Sequence, residues 1–351
     1  MLDFAMRVDW RQAGIIALLG FLAGALYRYG FDPPREANLA NYFRSGLHGV
    51  GLALVGWGIH LFFLNWPRLV RLPFLAELAT KSIAMTIGLA VAAATLQSAL
   101  YGGIPDQTWL SAALPWIVAY AFVASLILSS LLELSRLIGP RVLVNFVLGR
   151  YHRPIREERV FMFLDLVGST RLAEKLGEVR VHDLITRFFF DIDSPIVAHG
   201  GEVHAYVGDA AIITWPLERG LCDARCVACF FAIEEKIAQS AAFYQREFGA
   251  VPQFSAALHA GAVVVSECGN SKRQIAYFGD TVNVAARLQE EGKARAAGSL
   301  VASASVLKGV TLSSEFETQS YGDVRLRGRE APIELSLVRH PATAKAAQAT
   351  S

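Results

Sequence analysis

Four apolar runs free of any charged residue dominate the first 133 residues: Gln12–Tyr27, Ser45–Pro67, Ser82–Pro105 and Gln107–Leu132. A helix needs roughly 20 such residues to cross the hydrocarbon core of a bilayer. Lipid admits only elements that satisfy their own backbone hydrogen bonds. The last three runs meet that length. The first is shorter and is completed at the interface by Tyr27, Tyr29 and a snorkelling Arg28. Gly30 and the Pro33-Pro34 pair end it. A cleaved signal peptide, with Arg7 and Arg11 as its charged start, is the other reading of this run, but no small-x-small cleavage pattern ahead of a secreted domain supports it.

Charge divides at the same place. Residues 1–133 carry 15 charged side chains, 11%, and the remaining 218 carry 49, or 22%. With 53% hydrophobic residues overall, this excludes both an evenly mixed soluble protein and a disordered one. The expectation is a four-helix transmembrane domain over 1–133, a plain linker or signal-transmitting segment over 134–158, a water-facing domain over 159–340 and a disordered tail over 341–351.

Loop charges orient the spans, because cytoplasmic loops carry the excess of Lys and Arg. The second loop holds Arg68, Arg71 and Lys81, while the third, Gly102–Thr108, holds only Asp106. Arg136, Arg141, Arg150 and Arg153 follow the fourth run. The second loop and the C-terminal domain are therefore placed in the cytoplasm, in a multi-pass protein of the cell inner membrane. Arg28, Arg35 and Arg44 around the first loop run against this pattern. His48 and His60 are the only histidines within the runs. Ionisable groups at that depth raise a functional question, a haem- or quinone-based redox sensor among the answers. They are 12 residues apart, about 120° around a helix, and no second run offers a matching pair. Hydrogen bonding between helices is the expectation, and an unidentified membrane ligand stays open.

The net charge of +2 leaves no basic excess for a nucleic acid partner. Four cysteines are too few for a disulfide framework. Cys222, Cys226 and Cys229 fall at i, i+4, i+7 of an expected helix and read as packed core thiols, with no zinc spacing beside them. In the joint, Gly139-Pro140 interrupts a helix ending near Leu137. Apolar Val142–Leu148 and basic Arg150–Arg159 follow, the latter suited to anionic headgroups or to a plain linker.

The polar domain reads as alternating elements. Arg159–Val167 is a buried strand, Arg171 to about His199 a helix, and Glu202–Val207 with Ala210–Trp215 a hairpin turning at Gly208-Asp209. Arg219–Phe248 is a long helix, Gln253–Ser266 and Arg273–Phe278 are strands, and a helix runs from Gly279-Asp280-Thr281 to about Ala296. The order β-α-β-β-α-β defines an α+β ferredoxin-like core.

Within it, Asp165 ends one strand and Asp209 sits at a hairpin tip. Two carboxylates at adjacent strand ends suit one or two Mg²⁺ ions beside substrate phosphates. Gly168, Ser169 and Thr170 open the helix after Asp165, where free backbone N–H groups favour phosphate. Asn283 and Arg287, at i and i+4, share one helix face, and the arginine offers a fork to a phosphate.

Three segments carry these residues: FLDLVGST, GGEVHAYVGD and GDTVNVAARL. In this order and spacing they resemble the class III nucleotidyl cyclases, and most closely the bacterial membrane-anchored adenylate cyclases, over about Glu157 to Val338. The resemblance implies that Asp165 and Asp209 hold two Mg²⁺ or Mn²⁺ ions per site, with the Leu166 carbonyl as a further ligand. It gives Asn283 the ribose, Arg287 the charge developing on the α-phosphate, and Arg329 the triphosphate. It also implies a homodimer in which the metal pair and the Asn/Arg pair of one site come from different chains. ATP would be the substrate and 3′,5′-cyclic AMP the product.

Two positions depart from the pattern. Adenine-selective members carry a Lys where this chain has Ala205, and an Asp or Thr where it has Ala276. Neither alanine hydrogen-bonds a base edge, so base choice falls to backbone groups of Phe278 or Gly279, or to Gln274. The alternatives are a guanylate or relaxed-specificity cyclase and a catalytically silent nucleotide-binding or membrane sensor module. Retention of Asp165, Asp209, Asn283 and Arg287 argues against the silent one.

Overall fold

A computed structural model describes residues 10–31, 38–65, 74–102, 107–138, 149–270, 273–295, 298–313, 315–327, 329 and 331–340. The expected features at Pro33-Pro34, Val142–Leu148 and 341–351 lie outside them. The chain divides into two compact units, Met1–Ile138 and Gly139–Ser351.

The first unit is helical: α1 (Trp10–Phe31), α2 (Leu39–Asn65), α3 (Phe74–Tyr101), then a π-helical turn (Trp109–Ala113) leading into α4 (Leu114–Ile138). The first apolar run lies in a helix of 22 residues because Arg28 and its neighbours continue the same backbone. That is about 33 Å of helix, enough for a hydrocarbon core. Among the described residues three helices are long and apolar enough to cross a membrane, Gln12–Gly30, Leu39–Phe63 and Ala79–Leu100. Four were expected. The fourth run lies in the π-helical turn and α4, where Trp109–Ala124 is an apolar stretch among the described residues. Small residues set the packing: Gly20 and Gly24 of α1 meet Ser45, Gly49 and Ala53 of α2 so closely that a Cβ on either glycine would collide with them. Such contact lets helices associate through close backbone approach. Tyr120 Oη donates to the Ala23 carbonyl at 3.2 Å, and Leu89 and Ala93 are fully buried. The outer surface is apolar instead, with Leu18, Leu22 and Leu26 of α1, Ile83, Ile87 and Val91 of α3, and Val123 and Ile127 of α4 all more than half exposed. His48 and His60 are both buried on α2.

The second unit is a mixed sheet with helices on it. Its elements are β1 (Ile155–Leu166), α5 (Ser169–Leu176), α6 (Glu178–Ala198), β2 (Glu202–Val207), β3 (Ala210–Pro216), α7 (Leu217–Leu221), a 3₁₀ turn (Cys222–Ala224), α8 (Arg225–Gln239), α9 (Ala241–Phe248), β4 (Phe254–Cys268), β5 (Gln274–Phe278), α10 (Asp280–Arg295), β6 (Leu300–Ser303), α11 (Ala304–Leu307), β7 (Glu317–Val324) and β8 (Ile333–Arg339). The strand order is β2-β3-β1-β4-β6-β8-β7, with β5 paired on β4. Strand β1 runs antiparallel to both β3 and β4. The first four strands in that order are the expected ferredoxin-like core.

β1 is apolar on both faces because both are covered. Val160, Met162, Leu164 and Leu166 pack against Leu184, Phe188, Ile192 and Ile196 of α6 and Cys226, Phe230 and Ile233 of α8. Phe161 packs on the other side with Val263, Val265 and Ala285. At about 25 cal/mol per Å² of apolar surface, burying such a side chain is worth roughly 1.5–3 kcal/mol, so these two layers hold β1 rigidly.

Several expectations are corrected. β1 begins at Ile155, four residues before Arg159. The basic stretch there is largely neutralised within the fold: Arg159 is buried, pairing with Glu157 at 3.0 Å and Glu202 at 3.5 Å, and Arg150 pairs with Glu157 at 3.4 Å. The helix expected from Arg171 to His199 is two helices, broken at Gly177, whose φ of +81° leaves the helical region. The helix expected over Arg219–Phe248 is broken by left-handed Asp223 and Ala224 and again at Ser240. Cys222 therefore leaves the face it was expected to share and is exposed, whereas Cys226 and Cys229 are buried. Burial pushes the Cys226 thiol up to about 12 and Cys229 higher still, so both remain unreactive thiols.

Candidate active site

Two strand ends and a helix start converge on Asp165. The ladder sets Asp165 directly opposite Ala210 of β3, so Asp209, the preceding residue, lies at the same end of the sheet. The β2–β3 connection has only two residues, Gly208 and Asp209, between the paired Val207 and Ala210. Gly208 takes φ +62° to make that corner, which presents Asp209 half-buried at the tip. Beyond Leu166 the chain makes one more bond to the sheet, Val167 N to Gln253 O at 2.8 Å. Gly168, at φ +71° with open space around it, then turns the backbone into α5. Ser169 and Thr170 are thereby the first residues of a helix whose leading N–H groups have no intrahelical partner.

The Asp165 carboxylate and the Leu166 carbonyl already hold a cation. Lys293 of α10 donates its ammonium to Asp165 Oδ2 and to Leu166 O, the latter at 2.8 Å. Gln289, one turn earlier, reaches the same Oδ2 at 3.4 Å. A carboxylate and a carbonyl gathered on one positive group, with a second carboxylate on the next strand, are hard oxygen donors of the kind Mg²⁺ and Mn²⁺ take together with substrate phosphates. Among the described residues no group of three or more His, Cys, Asp or Glu is arranged to hold a metal by itself.

Asn283 and Arg287 sit on the same helix but on another stripe. The start of α10 is fastened to β4: Thr281 Oγ1 donates to Ala262 O at 2.7 Å, and Gly279 at φ +142° lies where a Cβ would meet that carbonyl at 3.3 Å. Asn283 is exposed. Arg287 donates to the Arg327 carbonyl, and Arg329 pairs with Asp280 at 2.7 Å. Asn283 and Arg287 thus share their neighbourhood with Arg329. From Asn283 to Gln289, and from Arg287 to Lys293, is six residues, which is about 9 Å along the helix and about 120° around it. The residues facing Asp165 and the residues expected at the ribose and α-phosphate therefore point in different directions from one helix.

Ala205 and Ala276 are half-buried. Ala205 follows a bulge in β2 and pairs with Ile212; Ala276 pairs with Ser266. Among the described strands β5 pairs only with β4, so the backbone along its other edge is available to a ligand.

Nothing local in the sequence marks Lys293, Gln289 or His259. A lone lysine in the last turn of a helix reads as a dipole partner, and a lone histidine in an apolar strand reads as core. His259 is buried on β4, with Ser303 Oγ 2.8 Å and Ser305 Oγ 3.2 Å from its Nδ1. Burial first, then the positive Arg329, pushes it down to about 4, with Asp280 opposing. The unfolded ring titrates near 6.5. Between 6.5 and 4 the unfolded chain thus binds a proton that the folded chain does not, and stability falls as pH drops through that window. The loss reaches up to about 3 kcal/mol. Thermal unfolding of the full chain between pH 7.5 and 4.5 should show this slope, and His259→Gln should flatten it. An unchanged slope in the variant would contradict it.

Residues 154–338 match the adenylate and guanylate cyclase catalytic domain family. The chain belongs to this family, the class III nucleotidyl cyclases, whose substrates are nucleotides. Adenylate cyclase 2 of Rhizobium meliloti (strain 1021) is 38% identical over 258 residues, 73% of this chain and 70% of that one. An uncharacterized protein of Mycobacterium tuberculosis (strain H37Rv) is 30% identical over 188 residues, 51% of this chain but 32% of its own. Among solved structures, a bacterial light-regulated adenylyl cyclase superposes with TM-score 0.52 at 24% identity, over 62% of each chain, which shows the fold.

Proposed function

We propose that this protein is a membrane-anchored adenylate cyclase that converts ATP into 3′,5′-cyclic AMP and pyrophosphate at sites shared by two copies of the chain. The observation that carries the reading is the donor pair of Asp165 and Leu166, gathered on a cation beside Asp209.

In the reaction the ribose 3′ oxygen attacks the α-phosphorus. The bond from that phosphorus to the bridging oxygen breaks, pyrophosphate leaves with the electron pair, and the hydroxyl proton passes to solvent. Little covalent work falls to the protein, so positioning and charge neutralisation decide the rate. Asp165, Asp209 and the Leu166 carbonyl would hold two Mg²⁺ or Mn²⁺ ions, which when bound neutralise phosphate charge and favour the 3′ oxygen as nucleophile. The N–H groups at Gly168, Ser169 and Thr170 would receive phosphate oxygens. Asn283 would orient the ribose, Arg287 would stabilise charge growing on the α-phosphate, and Arg329 would take the triphosphate.

The two stripes of α10 support a shared site. Asn283 and Arg287 face away from the Asp165 of their own chain, so a second copy has to supply the carboxylates they work with. Two-fold pairing makes two such sites. The apolar outer surface of the first unit supports insertion in a bilayer, and the loop charges favour a cytoplasmic catalytic unit.

ATP is favoured by the likeness to a protein named adenylate cyclase. With Ala205 and Ala276 unable to read a base edge, the free edge of β5 takes that task. The test is purified full-length chain in detergent with Mn²⁺ and equimolar ATP and GTP, scored by mass for cyclic products. Cyclic AMP in excess is expected. Cyclic GMP in excess would reassign the substrate, and no cyclic product from folded protein would overturn the enzyme reading.

A further inference from the structure

Lys293 stands on the oxygens that the metal reading requires. Its ammonium donates at once to Asp165 Oδ2 and to Leu166 O. The Lys293 side chain is one-third exposed and that of Asp165 17% exposed, so the pair is sheltered yet open to exchange. Mg²⁺ sits about 2.0–2.1 Å from its oxygen ligands. An ion on these two oxygens would lie well inside the contact distance of the Lys293 nitrogen, and two cations that close repel strongly. The ammonium and the ion therefore exclude each other.

We propose that Lys293 is a resident stand-in cation: it closes the metal position in the metal-free chain, and metal entry is an exchange in which the divalent ion expels the ammonium. The proposal rests on the reading that Asp165 and Leu166 carry the metal. Without such a partner, the Asp165 carboxylate would lie mostly buried and uncompensated beside a carbonyl oxygen, a costly arrangement. Lys293 supplies the compensation from α10, the same helix that carries Asn283 and Arg287. Gln289 stays as a neutral neighbour of Oδ2 and does not compete by charge. Metal entry is thereby tied to the last turn of the helix whose first turns carry Asn283 and Arg287.

The test uses the full-length chain in detergent, without nucleotide, and Mn²⁺ as the probe. Bound ion is read from the loss of the free Mn²⁺ resonance. Removing the competitor in Lys293→Met should tighten Mn²⁺ binding by about threefold to tenfold. Asp165→Ala should lose the binding. A second readout needs no variant at Lys293. Reductive methylation of the wild-type chain, followed by mass spectrometry, should show Lys293 protected without Mn²⁺ and modified once Mn²⁺ is added. In Asp165→Ala it should be modified throughout.

Tighter binding in Lys293→Met together with Mn²⁺-driven exposure of Lys293 supports the exchange. Unchanged or weaker binding in Lys293→Met, or a Lys293 still protected with Mn²⁺ bound, overturns it while Asp165→Ala still reports the metal site. If Asp165→Ala binds Mn²⁺ as the wild type does, the metal reading itself fails, and the exchange with it.

Discussion

Replacing Asp165 or Asp209 by alanine is expected to lower cyclase turnover by about three orders of magnitude or more, with the fold intact. The size follows from what each carboxylate is asked to do. The substrate brings several phosphate charges together, and without a ligand set the neutralising ions are not held where charge moves. The fold is spared because neither side chain belongs to the core. Asp165 is the last residue but one of β1, its side chain 17% exposed and packed by Lys293 rather than by the apolar core, and Asp209 occupies a two-residue corner. Initial rates at saturating ATP and Mn²⁺ are the measurement, with circular dichroism as the folding check. Activity within a few-fold of wild type in either variant would refute the metal assignment.

Arg287→Ala should act on a different parameter. An arginine that meets charge present only in the transition state lowers kcat when removed and leaves KM for ATP nearly unchanged. The expected fall in kcat is about 10²–10³-fold. Its guanidinium is satisfied in the single chain by the Arg327 carbonyl, a neutral acceptor on the surface. Its loss should therefore cost little stability, within about 0.5 kcal/mol. Arg287→Lys keeps the charge without the planar fork and should fall in between. A raised KM at unchanged kcat would move Arg287 from the transition state to ground-state binding.

The catalytic unit was legible in the sequence wherever chemistry and local geometry coincide. Asp165 ends a strand because Gly168 takes the left-handed turn that follows it. Asp209 sits at a tip because Gly208 makes the corner. Both signals are local. Asn283 and Arg287 declared their shared face through a spacing of four. What escaped depends on partners distant in sequence. Lys293 reaches Asp165 across 128 positions, and nothing within α10 marks it. Arg159 looked like the rim of a basic linker, yet it is buried by Glu157, Glu202 and the ring of Tyr277, 5.0 Å away. The breaks near Gly177 and Asp223 were missed because apolar periodicity continues through them, while the backbone turns to lay α6 and α8 on the sheet. In the first unit, charge-free runs located the helices well. They underestimated α1, because an arginine in a last turn does not end a helix.

The shared site is tested most directly by mixing two inactive variants. Asp165→Ala chains keep a complete Asn283/Arg287 stripe, and Arg287→Ala chains keep a complete carboxylate pair. Co-expressed in equal amounts, they form mixed pairs half of the time, and each mixed pair holds one intact site and one doubly broken one. Activity should return to about a quarter of wild type. A mixture no more active than the separate variants, with mixed pairs demonstrated by differential tagging, would contradict a site built from two chains.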